Sequence, residues 1–196
     1  HEEVIPSVHE DTEKTQEFGV TFSPRRAREL GIDPGQLFRA IVDDLDVRLV
    51  RLPLYWDDIE AAPDAWNWDD VDPYVAMADA AGVRLTLAIG HKVPRWPECH
   101  APGWVTYDDR QAELLAYIEE AVTRYGDRES VTRWQVENEP YLPFGDCSPI
   151  SPALVAEEVA LVRQLDPATP IQLTVSGEQE LWSDSAALAD VLGISM

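Results

Sequence analysis

Cysteine is almost absent from this chain, with only Cys99 and Cys147 in 196 residues. Neither belongs to a CxxC pair, and no His/Cys cluster has zinc-ligand spacing, so no metal is expected. Lysine is equally scarce: Lys14 and Lys92 are the only two, and 15 basic residues face 37 acidic ones for a net charge of −22. Such a surface repels phosphate backbones, which argues against nucleic acid as a partner, and it disfavours anionic polysaccharides. The acidic excess itself reads as a solvated face. No apolar run reaches the roughly 18 residues that a membrane helix needs. No GxGxxG fingerprint and no P-loop occur, and no cofactor is implied. No basic start followed by an apolar stretch marks a secretory leader. The chain nevertheless begins at His1 and not Met, which implies a removed leader or an excised piece.

What the chain does have is 45% hydrophobic residues, enough for one sizeable core. Residues 1–16 are polar and without period, and read as a flexible leader. From there strands and helices alternate. Strand-like stretches are Glu17–Ser23, "VRLVRLPLYW", "VRLTLAIG", "VTRWQVEN" and "PIQLTVSG". Between them lie amphipathic segments with helix punctuation, among them Asp33-Pro34 and Ser151-Pro152 as N-cap and first turn. A fifth helix is expected over Ser183–Gly193, and "ISM" then opens a sixth strand. A repeat of roughly 40 residues per strand and helix signals βα units on a parallel sheet. An open doubly wound sheet and a (β/α)8 barrel both fit. A full barrel takes ~250 residues, so the expected form is an α/β TIM barrel over 17–196, truncated after about five βα units.

Both architectures collect their chemistry at the C-terminal ends of the strands. Here those ends carry Arg51, His91, Asn138-Glu139 and Glu178. The fourth strand, "WQVENEP", places a carboxylic acid beside a carboxamide and stops at Pro140. Glu139 is suited to protonate a glycosidic oxygen, and Asn138 to bind a sugar hydroxyl. Strand alternation would put Glu137 on the same side as Glu139. There are seven tryptophans, and Trp56, Trp96 and Trp182 follow strand ends, where a flat ring can stack on a sugar.

These residues resemble clan A of the glycoside hydrolases, the retaining (β/α)8 group that includes family 5. The likeness spans about residues 17–196, and its one highly specific motif is Asn138-Glu139-Pro140. The resemblance implies Glu139 as acid/base, Asn138 as sugar ligand, Arg51 beneath the nucleophile and His91 in the substrate cleft. The clan's nucleophile, a second glutamate at the end of strand seven, has no counterpart in this chain. The implied activity is therefore hydrolysis of a neutral β-linked glycan or glycoside, with the isolated chain expected to be inactive. The competing expectation is a non-catalytic sugar-binding or scaffold protein on a truncated barrel. Oligomeric state is not readable.

Cys99 lies in the loop after the third strand and Cys147 in the loop after the fourth. Neighbouring parallel strands set such loops side by side. The two are either a disulfide or free thiols, and a disulfide implies an extracellular or cell-envelope location.

Overall fold

A computed structural model describes residues 16–147, 150–177 and 182–195. Of the expected leader only residue 16 falls among them, and Glu178 lies outside. The strands are β1 (Val20–Thr21), β2 (Leu49–Pro53), β3 (Arg84–Ile89), β4 (Val131–Val136), β5 (Ile171–Ser176) and β6 (Val191–Ser195). They form one sheet in chain order, and every pairing is parallel. A doubly wound sheet reverses its strand order at a switch point. No reversal occurs here, so the fold is the partial (β/α) barrel.

The helices are α1 (Pro24–Glu29), α2 (Pro34–Arg39), α3 (Trp56–Ile59), α4 (Asp72–Ala81), α5 (Arg110–Tyr125), α6 (Pro152–Leu165) and α7 (Trp182–Leu188), with a π-helical turn over Ala40–Asp44 extending α2. The expected caps form. Asp33 accepts from the Gln36 N–H and Ser151 from the Leu154 N–H, each with proline at the next position. Alternation along each strand sorts its two faces. Leu85, Leu87 and Ile89 of β3 and Trp134 and Val136 of β4 join Leu114, Ile118 and Val122 of α5 and Val155 and Val159 of α6 in the main core. The opposite face is largely polar. Thr21, Arg51, Thr86 and Arg133 stand in one row across β1 to β4. Among the described residues no helix is long and apolar enough to cross a membrane.

Two expected boundaries move. The first strand is shorter than Glu17–Ser23, because Ser23 turns the chain and caps α1 by accepting from the Arg26 N–H. The fifth helix stops at Leu188 and not at Gly193, and Val191–Ser195 is already strand. Asp190 marks the change. Its carboxylate accepts from the Ile171 N–H at 2.9 Å and pairs with Arg163 at 3.2 Å, fastening the chain to β5 as the new strand begins.

Candidate active site

The fourth strand ends at Val136, and the backbone then leaves strand geometry. Glu137 and Glu139 both have positive φ, 58° and 48°. Such values are uncommon for side chains with a Cβ and gather at functional sites. They also cancel the alternation that would place the two glutamates together. Glu137 is fully buried. Its carboxylate accepts from the N–H groups of His91 (2.7 Å) and Lys92 (2.6 Å) at the end of β3. Glu139 is half-buried and is seated by its backbone. Its N–H donates to Thr174 Oγ1 at 2.9 Å, and its carbonyl accepts from Lys92 Nζ at 3.0 Å. The same ammonium donates to the Leu142 carbonyl at 2.7 Å. The charge of Glu139 is felt by both Arg51 and Lys92.

Asn138 stands between the two glutamates. Its Nδ2 donates to Glu98 Oε2 at 3.2 Å, and its Oδ1 accepts from Gln135 Nε2 at 3.3 Å. Arg51 rises from β2 into the same network. Its Nε donates to Thr21 Oγ1 at 2.9 Å and its guanidinium to Gln135 Oε1 at 3.2 Å. Burial, and then the nearby Arg95, lower its pKa. Among the described residues no carboxylate forms an ion pair with it. One cation is thus held half-buried by neutral acceptors alone.

The rim is made by the loops after β3 and β4. Cys99 and Cys147 form a disulfide across them, with Cα atoms 5.2 Å apart. The Asp146 N–H donates to the Pro97 carbonyl at 3.0 Å beside it. Gly145 makes this approach possible. Its φ is +92°, and a Cβ there would stand 2.6 Å from the Pro97 carbonyl oxygen. Trp96 is 70% exposed and Phe144 53%. Their rings meet edge to face with centroids 6.3 Å apart.

Two expected site residues stand differently, and two lie wholly or partly outside the description. Trp56 is a core residue and not a cleft residue. The chain starts α3 at this position, which turns the indole inward to stack on Tyr117 and donate to Glu60 Oε2 at 2.8 Å. His91 lines a groove that Glu139 does not line. It is buried in a groove between the starts of α5 and α6, lined by Tyr107, Arg110, Gln111, Leu114 and Leu154. Burial, and then Arg110, lower its pKa to about 4, so the imidazole is neutral. Trp182 opens α7, and its side chain lies outside the description, as does all of Glu178.

Sequence reasoning missed Lys92, Glu98 and Phe144 as site residues and misplaced Glu137. Lys92 had a signal, being one of only two lysines in a strongly acidic chain. Phe144 had none, because an aromatic in a proline-rich loop looks the same whether it packs or projects.

A sequence profile described as Glycosyl hydrolase family 10 matches residues 51–147, a stretch that runs from Arg51 through Glu139 to Cys147. No curated protein matches the sequence. Solved structures share the fold. A β-galactosidase from the psychrophilic Marinomonas ef1 superposes with a TM-score of 0.62 at 13% identity, over 92% of this chain and 40% of that one. The exo-β-1,4-mannosidase Op5Man5 from Opitutaceae bacterium strain TAV5 gives 0.67 at 17%, over 90% and 37%. A glycoside hydrolase family 10 endo-β-1,4-xylanase from Gloeophyllum trabeum gives 0.66 at 14%, over 93% and 62%. The chain thus spans 40% of the length of the first of these relatives. The profile match and the shared barrel are thus likenesses to glycoside hydrolases, the sequence match being to family 10 and the structural matches showing the fold.

Proposed function

We propose that this chain carries the acid/base half of a retaining β-glycosidase acting on a neutral β-linked glycan or glycoside. The observation that supports it most is the seat of Glu139. A strand-end carboxylate is held through its backbone by Lys92 and Thr174, with Asn138 beside it and Arg51 in its field. Fixing the backbone leaves the carboxyl free to move a proton. In the first step Glu139 gives its proton to the glycosidic oxygen as the C–O bond breaks, while a second carboxylate attacks the anomeric carbon. In the second step Glu139 takes a proton from water, whose oxygen displaces the enzyme carboxylate. The second carboxylate is proposed to come from outside the described residues. Arg51, half-buried and without an acidic ion-pair partner among the described residues, is the cation that would receive it. Trp96 and Phe144 offer the stacking surface at the rim, and the disulfide suits an oxidising compartment.

The test uses the complete polypeptide that contains these residues, with aryl β-glycosides as substrates. Glu139→Gln is expected to lower kcat by roughly 10²–10⁴-fold. The loss should be smaller for aryl groups that leave without protonation, and added azide should restore turnover of those substrates. Unchanged hydrolysis by Glu139→Gln overturns the assignment. Binding of β-linked oligosaccharides with no turnover by the unaltered protein supports the sugar-binding alternative.

A further inference from the structure

One buried acid is left over from that chemistry. Glu137 is fully buried beneath Glu139's loop and does not reach the cleft. It instead closes the gap between two strand ends. Both oxygens are used, Oε1 on the His91 N–H and Oε2 on the Lys92 N–H. The backbone repeats the link in the other direction. The Glu137 N–H donates to the Ile89 carbonyl at 2.8 Å, and the Asn138 N–H to the Lys92 carbonyl at 2.6 Å. Gly90 leaves the space for it. With φ at +121°, a Cβ on that residue would lie 2.6 Å from Glu137 Oε1. Lys92, whose N–H is held by Glu137, is the residue whose Nζ holds the Glu139 carbonyl. A continuous path of hydrogen bonds therefore runs from the Glu137 carboxylate through Lys92 to the backbone of Glu139.

The groups facing Glu137 come from three elements. Lys92 and His91 face it from the end of β3, Tyr117 from α5 and Glu158 from α6, with Glu157 beyond. Glu158 is buried too, and no described donor reaches either of its carboxyl oxygens. Two carboxyls this close in a dry interior cannot both be ionised. The negative charge belongs on Glu137, where two N–H groups receive it, and the proton on Glu158. Burial raises the pKa of both, against the two N–H groups that lower that of Glu137.

We propose that Glu137 is a positioning residue for Glu139: a buried carboxylate that locks the end of β3 to the end of β4 and, through Lys92, ties the seat of the acid/base residue to its own protonation. The functional meaning rests on Glu139 being the acid/base residue, but the lock itself does not require hydrolysis, so the two readings fail separately.

The experiment is a pH titration of the full chain followed by amide NMR. An N–H donating to a carboxylate is deshielded, and the shift is lost when the carboxylate is protonated. The His91 and Lys92 amide resonances are expected to move together with one midpoint, near 7 and well above that of an exposed glutamate. The Glu139 amide, although bonded to Thr174, is expected to follow with the same midpoint. Glu158→Gln, which keeps a donor facing Glu137 and removes the second acid, should retain that step and abolish any further one at higher pH. Amides of His91 and Lys92 that stay fixed between pH 5 and 9, or that titrate while Glu139 does not respond, overturn the proposal.

Discussion

Lys92 joins more of the site than any catalytic candidate does. It is 1% exposed, and its ammonium satisfies the carbonyls of Glu139 and Leu142. Burial lowers its pKa, opposed by Glu98, Glu139 and Glu137. Replacing it by Met keeps most of the apolar stem and strands both carbonyls. Lys92→Met is expected to cost about 1–3 kcal/mol, read as a lower urea midpoint; an unchanged midpoint would show that water replaces the ammonium. At this scale the tripeptide Asn138-Glu139-Pro140 was legible because a short motif is local. Glu137 was not, since alternation presumes extended φ and two residues here have positive φ. Trp56 misled for a related reason. Counting residues past a strand cannot reveal that the next helix begins at once and turns the ring into the core.

The site is built where two strand–loop units meet, and the disulfide between their loops sets the rim. Its partners are 48 residues apart. Loop entropy alone assigns such a link about 4 kcal/mol, and measured values run lower. The paired Cys99→Ser, Cys147→Ser variant is therefore expected to lose roughly 2–4 kcal/mol of unfolding free energy. The same loss should follow thiol reduction of the native chain, and equal stability in reduced and oxidised forms would contradict it. Adjacency of the loops was readable from strand order, but the pairing itself was not, because spacing cannot distinguish bonded sulfurs from close ones. The strands themselves were legible where apolar residues face helices, as in β3 and β4. Legibility failed at β6, where Gly193 resembles a helix stop and lies inside the strand.

Across the molecule, the buried acids and the buried histidine pull stability in opposite directions with pH. Glu137 and Glu158 have raised pKa values, so the folded chain keeps protons that the unfolded chain releases near its ordinary carboxylate range. Their contribution is greatest below about pH 4.3 and falls as pH rises towards 7 and beyond. His91, lowered to about 4, does the reverse. Below about 6.5 the unfolded chain takes up a proton that the folded one refuses, and stability is lost as pH falls. Glu158→Gln isolates one of these effects. Its unfolding free energy relative to the native chain is expected to rise between pH 5 and 8 by roughly 1–3 kcal/mol. A difference that stays constant over that range would place an ionised carboxylate at residue 158. None of this was visible in a net charge of −22, which counts every acid alike, buried or exposed.

The partners described for Glu139's backbone and for Glu137 all lie between Ile89 and Thr174. A nascent chain that has cleared the ribosome as far as Thr174 already holds them all. Synthesis order thus lets the proposed proton-handling end of the cleft assemble early, as a template against which any later strand is sorted.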